Sequence, residues 1–194
     1  MNSKMIPVAV INPEAPAESL EAKQPAIDNG AEIYGKDGYF SAVQMQREWD
    51  KVWTESWLIA GVSTDLPTLG DYFLFRVRSE SVIVTRTEEG IKAFYNVCPH
   101  RGARLLTEER GNKKVFVCPF HSWSFRNNGE LRTITDEETF QEPVICHRPG
   151  LTPVACEEHA GLIFVSMADT PPPLKEAIGL PEDYLENYQI DQMR

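Results

Sequence analysis

Four side chains suited to metal chemistry stand in two short clusters, Cys98-Pro-His100 and, after 17 intervening residues, Cys118-Pro-Phe-His121. Thiolate and imidazole are ligands for soft and borderline metals, and two of each complete a four-donor set. A zinc finger usually places its Cys pair first and its His pair later. Here each cluster supplies one Cys and one His. That distribution suits a binuclear iron–sulfur cluster in which both thiolates hold one iron and both imidazoles the other. A structural zinc ion takes the same donor types and is the alternative. With two thiolates and two neutral imidazoles the oxidised cluster is neutral, whereas four thiolates leave it dianionic. An electron enters a neutral centre more readily, so imidazole ligation raises the reduction potential. Each imidazole keeps a second nitrogen, whose partner tunes the ligand. Loss of that proton favours the oxidised state, so potential and pH are expected to be coupled.

Loops that converge from strand ends would bring such clusters together. Residues 72–77, 82–86, 92–97 and 114–118 are short runs rich in aromatic and β-branched side chains, which read as strands. Arg78-Ser-Glu-Ser81 and Glu88-Glu-Gly90 supply turns between them. Asn127-Asn-Gly129 joins 123–126 to 130–134 as a hairpin, and 57–62, 154–157 and 162–166 add further strands. Both Cys residues then follow strands, so the clusters sit on loops at one end of the sheets. Before the strands, Phe40, Val43, Trp49, Val52, Trp53 and Trp57 recur at helical spacing. This predicts a helix over about 41–55, capped by Ser41, with its aromatic face packed on the domain. Residues 1–32, rich in Pro, Ala and Glu, read as an extended or mobile arm. Pro171-Pro-Pro173 marks a boundary, and 174–188 reads as one or two short helices leading away.

The pattern C-x-H, 17 residues, C-x-x-H resembles the cluster-binding motif of Rieske proteins. The words NVCPHRGARL and CPFHSWSF around it resemble the oxygenase branch, the large (alpha) subunit of ring-hydroxylating Rieske non-haem iron oxygenases. The likeness spans about residues 33–180 and includes EWDKVWTESWLIAG, DLPTLGDYF and HAGLIFVSM. It implies a mainly β fold: a Rieske-type antiparallel β-sandwich of short strands, with an N-terminal helix and short C-terminal helices. It implies a domain over 33–170, with 171–194 a Pro-rich exit and helical linker toward a catalytic domain. It also implies a Rieske [2Fe–2S] cluster on Cys98, His100, Cys118 and His121, fed by a reductase or ferredoxin. The family assembles as trimers and oxidises aromatic rings, quaternary amines and other molecules.

An oxygenase of this family also carries a mononuclear iron held by two His and a carboxylate. After the cluster ligands only His147 and His159 remain, and their spacing does not fit that pattern. The chain is therefore expected to be part of a larger oxygenase subunit, with the mononuclear iron elsewhere and no catalytic residue in 1–194. A free-standing Rieske ferredoxin is the alternative. Glu157, Glu158 and His159 offer a second metal site, against which stands a hydrated surface turn. Arg101 is read as either a cation favouring the reduced cluster or a structural ion-pair partner, and Arg104 as structural. Trp123 shapes a docking surface or is a packed aromatic. Respiratory Rieske proteins carry a disulfide and a hydroxyl pair near the cluster. This chain has Ala103, Phe120, Trp123 and Phe125 at the matching positions, which implies a low potential.

Composition narrows the partners. A net charge of −10, from 19 basic and 29 acidic residues, argues against nucleic acid and anionic membranes. No apolar run reaches the ~18 residues of a membrane span. Cys146 and Cys156 read as reduced thiols, which accords with a cytoplasmic setting.

Overall fold

The structure is a computed structural model that describes residues 35–141, 150–181 and 183–193. The arm at 1–32, Cys146 and His147 lie outside the described residues. The chain divides after Gln44. In the first part, α1 (Asp37–Phe40) is followed by the start of α2 (Ala42–Glu48), where Gln44 N–H donates to Ser41 Oγ at 3.4 Å, as expected of a cap.

From Met45 on, the fold is mainly antiparallel β. The strands are β1 (Leu58–Val62), β2 (Asp71–Val77), β3 (Glu80–Thr87), β4 (Gly90–Tyr95), β5 (Arg110–Asn112), β6 (Val115–Val117), β7 (Ser124–Arg126), β8 (Leu131–Thr133), β9 (Pro153–His159) and β10 (Leu162–Ser166). Seven form one sheet in the order β1-β10-β9-β4-β3-β2-β5, and β6-β7-β8 form a second. Strand β9 turns a corner in the larger sheet. Its first two residues pair with β4, and Ala155 to His159 pair with β10.

The middle strands bury both faces, and side-chain alternation divides them between two cores. Phe73, Val82, Val84 and Ala93 join Ile163 and Val165 of β10 in one core. Tyr72, Leu74, Ile83 and Phe94 join Phe116, Trp123 and Phe125 of the smaller sheet's side in the other. That is why 72–75 and 82–84 are continuous apolar runs rather than alternating ones. The second core also contains Cys98 and Cys118.

The β7–β8 turn is tied down by Gly129. Its φ of +89° is left-handed, and an added Cβ would collide with the Phe94 ring. Both the conformation and the space exclude a side chain. Gly129→Ala is expected to cost about 3 kcal/mol, combining left-handed strain with overpacking, read as a lower urea midpoint.

Three expectations change. Strand β5 was not foreseen; Arg110-Gly-Asn112 carries no apolar alternation and is a strand because it pairs with β2. The predicted helix over 41–55 is α2 followed by a π-helical turn at Trp49–Trp53. Its aromatic face is only partly covered: neither element has a fully buried residue, and Trp53 is 44% exposed. The π turn breaks the 3.6-residue phase, and Trp49 instead lies under the Arg78 guanidinium. The exit segment does not lead away. Trp57 Nε1–H donates to Pro172 O at 2.8 Å, and Leu174 at the start of α3 (Leu174–Ile178) is buried. Asp191 then lies against Gly161 in the β9–β10 turn. No helix among the described residues is long and apolar enough to cross a membrane.

Candidate metal centre

Two loops of one design carry the four candidate ligands. The first leaves β4 of the larger sheet and the second leaves β6 of the smaller. In the first, Cys98 N–H donates to Ala103 O and Gly102 N–H to Cys98 O, at 2.8 and 2.9 Å. In the second, Cys118 N–H donates to Trp123 O and Ser122 N–H to Cys118 O, at 2.8 and 3.0 Å. The fifth residue of each loop is left-handed, Gly102 with φ +71° and Ser122 with φ +60°. Each loop thus closes on its Cys by the same pair of bonds, with His third in one and fourth in the other.

Closure brings like donors together. Cys98 and Cys118 lie in one core, and both are buried. Burial pushes the Cys98 thiol up, while the backbone N–H groups of His100 and Arg101 pull it down toward thiolate. The His100 and His121 ring centroids are 4.8 Å apart, at an interplanar angle of 66°. Burial, then the neighbouring His121 and Arg101, hold His100 below its usual value. Both Nδ1 atoms are buried without a hydrogen-bond partner. Leaving one such atom unsatisfied is costly. Two side by side, next to two buried thiols, fit a group that takes a pair of sulfurs and a pair of ring nitrogens.

The base of the first loop is held by a residue that sequence reasoning passed over. Asn96 is 4% exposed. Its Nδ2 donates to Leu106 O at 2.7 Å and Ser81 Oγ at 3.2 Å, and its Oδ1 accepts from Leu105 and Leu106 N–H. One amide thereby staples both ends of the ligand loop to β3. Asn96→Ala leaves two buried N–H groups and a carbonyl unpaired, so we expect a loss of about 3 kcal/mol in chemical unfolding.

Arg101 is exposed. Trp123 is 2% exposed and lies against His100. Cys156 is a free thiol on β9 in the other core. Its pKa is pushed up to about 12 by burial and then by Glu158 and Glu157.

The family model for the Rieske [2Fe-2S] domain matches residues 56–148. The oxygenase subunit of glycine betaine monooxygenase from Chromohalobacter salexigens is 34% identical over 148 residues, covering 76% of this chain and 33% of the relative. The chain carries a Rieske domain homologous to those of oxygenase alpha subunits. The large oxygenase component of the naphthalene 1,2-dioxygenase system of Pseudomonas aeruginosa is 38% identical over 157 residues, 79% of this chain and 34% of the relative. Among solved structures, the quaternary ammonium Rieske monooxygenase CntA with bound L-carnitine matches this Rieske domain with a TM-score of 0.68. The identity is 27%, over 78% of this chain and 42% of that one. The chain spans about a third of the length of the curated relatives it matches.

Proposed function

We propose that this Rieske domain holds a [2Fe–2S] cluster through Cys98, His100, Cys118 and His121, and serves as the electron-transfer domain of an oxygenase alpha subunit. The carrying observation is the pair of buried, unpartnered Nδ1 atoms beside a pair of buried thiols. Bound there, the cluster supplies one-electron transfer. The chain's own residues divide the rest of the work. The Cys side chains sit inside the second core and exclude water from the sulfurs. The half-buried imidazoles lie between that interior and the surface, where a reductase or ferredoxin would dock. The His100 and Arg101 N–H groups favour charge on the Cys98 sulfur, and the exposed Arg101 cation favours added negative charge.

In the parent subunit the electron would serve a mononuclear iron outside residues 1–194. One similar structure is described in terms of carnitine oxidation and inter-subunit electron transfer, which supports a role between neighbouring subunits here. The substrates named for the relatives are glycine betaine, carnitine and naphthalene. The aromatic expectation is accordingly one fit among several. Iron and acid-labile sulfide analysis tests the centre. We expect about two of each per chain, with a rhombic electron paramagnetic resonance signal on reduction. A protein purified with stoichiometric zinc and no sulfide overturns the reading.

A further inference from the structure

The two imidazoles are not held alike. His100 lies flat on the Trp123 indole, with centroids 4.7 Å apart and planes 5° from parallel. Phe140 sets its edge against both, at 5.8 Å from His100 and 5.5 Å from Trp123. The indole is buried, and the Trp123 backbone that carries it is held by the Cys118 N–H, which donates to the Trp123 main-chain carbonyl. His121 has a different neighbour. Phe120 is tilted by 39° at 4.0 Å, and it is 62% exposed. The matching loop position explains the difference. Trp123 is the sixth residue of the second loop, and the sixth residue of the first is Ala103, which has no ring to offer.

We propose that Trp123 is a positioning residue for the metal centre: an indole carried by the second loop sets the ring plane of His100 on the first. The proposal rests on the ligand reading above and goes one step beyond it. An imidazole held by one rotatable stem can turn about it, and its overlap with a bound iron changes as it turns. A parallel ring on one face and an edge at the side remove that freedom. The flat face of Trp123, rather than its N–H, is the working part, since Nε1 has no partner. The two ligand loops are therefore coupled: a disturbance of the second loop reaches His100 through the stack, while His121 keeps the freer ring.

The test uses the iron-loaded chain with Trp123→Leu and Trp123→Phe, read by pulsed paramagnetic resonance of the two imidazole nitrogens. We expect Trp123→Leu to alter or broaden one nitrogen coupling and leave the other unchanged, and Trp123→Phe to restore the wild-type pair. A loaded Trp123→Leu protein with both couplings unchanged overturns the proposal. If Trp123→Leu takes up no iron, Trp123→Phe decides. Wild-type couplings with a phenyl ring support the proposal, and an altered coupling overturns it. Failure of the ligand reading itself shows separately, as a wild-type protein lacking two coupled imidazole nitrogens.

Discussion

Cys98→Ala is expected to yield a colourless protein with iron and sulfide below about a tenth of the wild-type level, because the proposed cluster would lose one of its two thiolate ligands. No substitute thiol stands nearby among the described residues. Cys156 packs with the opposite core, across the β2–β4 layer, and burial and two carboxylates keep it protonated. Cys156→Ala is the matched control and should bind iron at the wild-type level. Both proteins are compared by metal and sulfide analysis after anaerobic purification, with far-ultraviolet circular dichroism to show that the sheets persist. A fully coloured Cys98→Ala protein removes Cys98 from the ligand set.

The candidate site was more legible than its surroundings, for a physical reason. Cys and His are uncommon and chemically distinct, so two Pro-bearing clusters stand out in any sequence. The strands were legible where burial imposes a pattern, as in the runs that became β2, β3 and β4. Strand β5 was not, because Arg110-Gly-Asn112 owes its conformation to a partner strand and nothing to its own side chains. The aromatic periodicity over 41–55 was real, but periodicity states which residues share a face and not whether anything covers it. Asn96 left only a faint signal, an amide at the point where the chain leaves a strand for a ligand loop. Its partners lie on β3 and 9 to 10 residues ahead, distances that a linear reading cannot bridge.

The relation between the two loops was half legible. Gly102 advertises a left-handed turn, but Ser122 does not, because a residue with a Cβ seldom takes that conformation. Without Ser122 the parallel between the loops is hidden, and with it the contrast of Ala103 against Trp123. Whether Trp123 packs or docks depended on burial, which single-residue chemistry does not encode.

The sharpest test of which imidazole donors matter is His121→Cys. A cluster retained with three thiolates is expected to titrate hundreds of millivolts lower, from within the Rieske range of about −150 to +300 mV toward the roughly −400 mV of four-thiolate plant-type centres. The cause is charge: a neutral ring is replaced by an anion, and added negative charge opposes reduction. Geometry permits the exchange. The Cys stem is shorter than that of His121, but metal–sulfur bonds, at about 2.3 Å for zinc, exceed metal–nitrogen bonds at about 2.0 Å, which recovers part of the reach. Spectroelectrochemical titration measures the shift. A fully loaded His121→Cys protein with wild-type potential shows that His121 is not a ligand, and with it fails the pairing of His121 with His100.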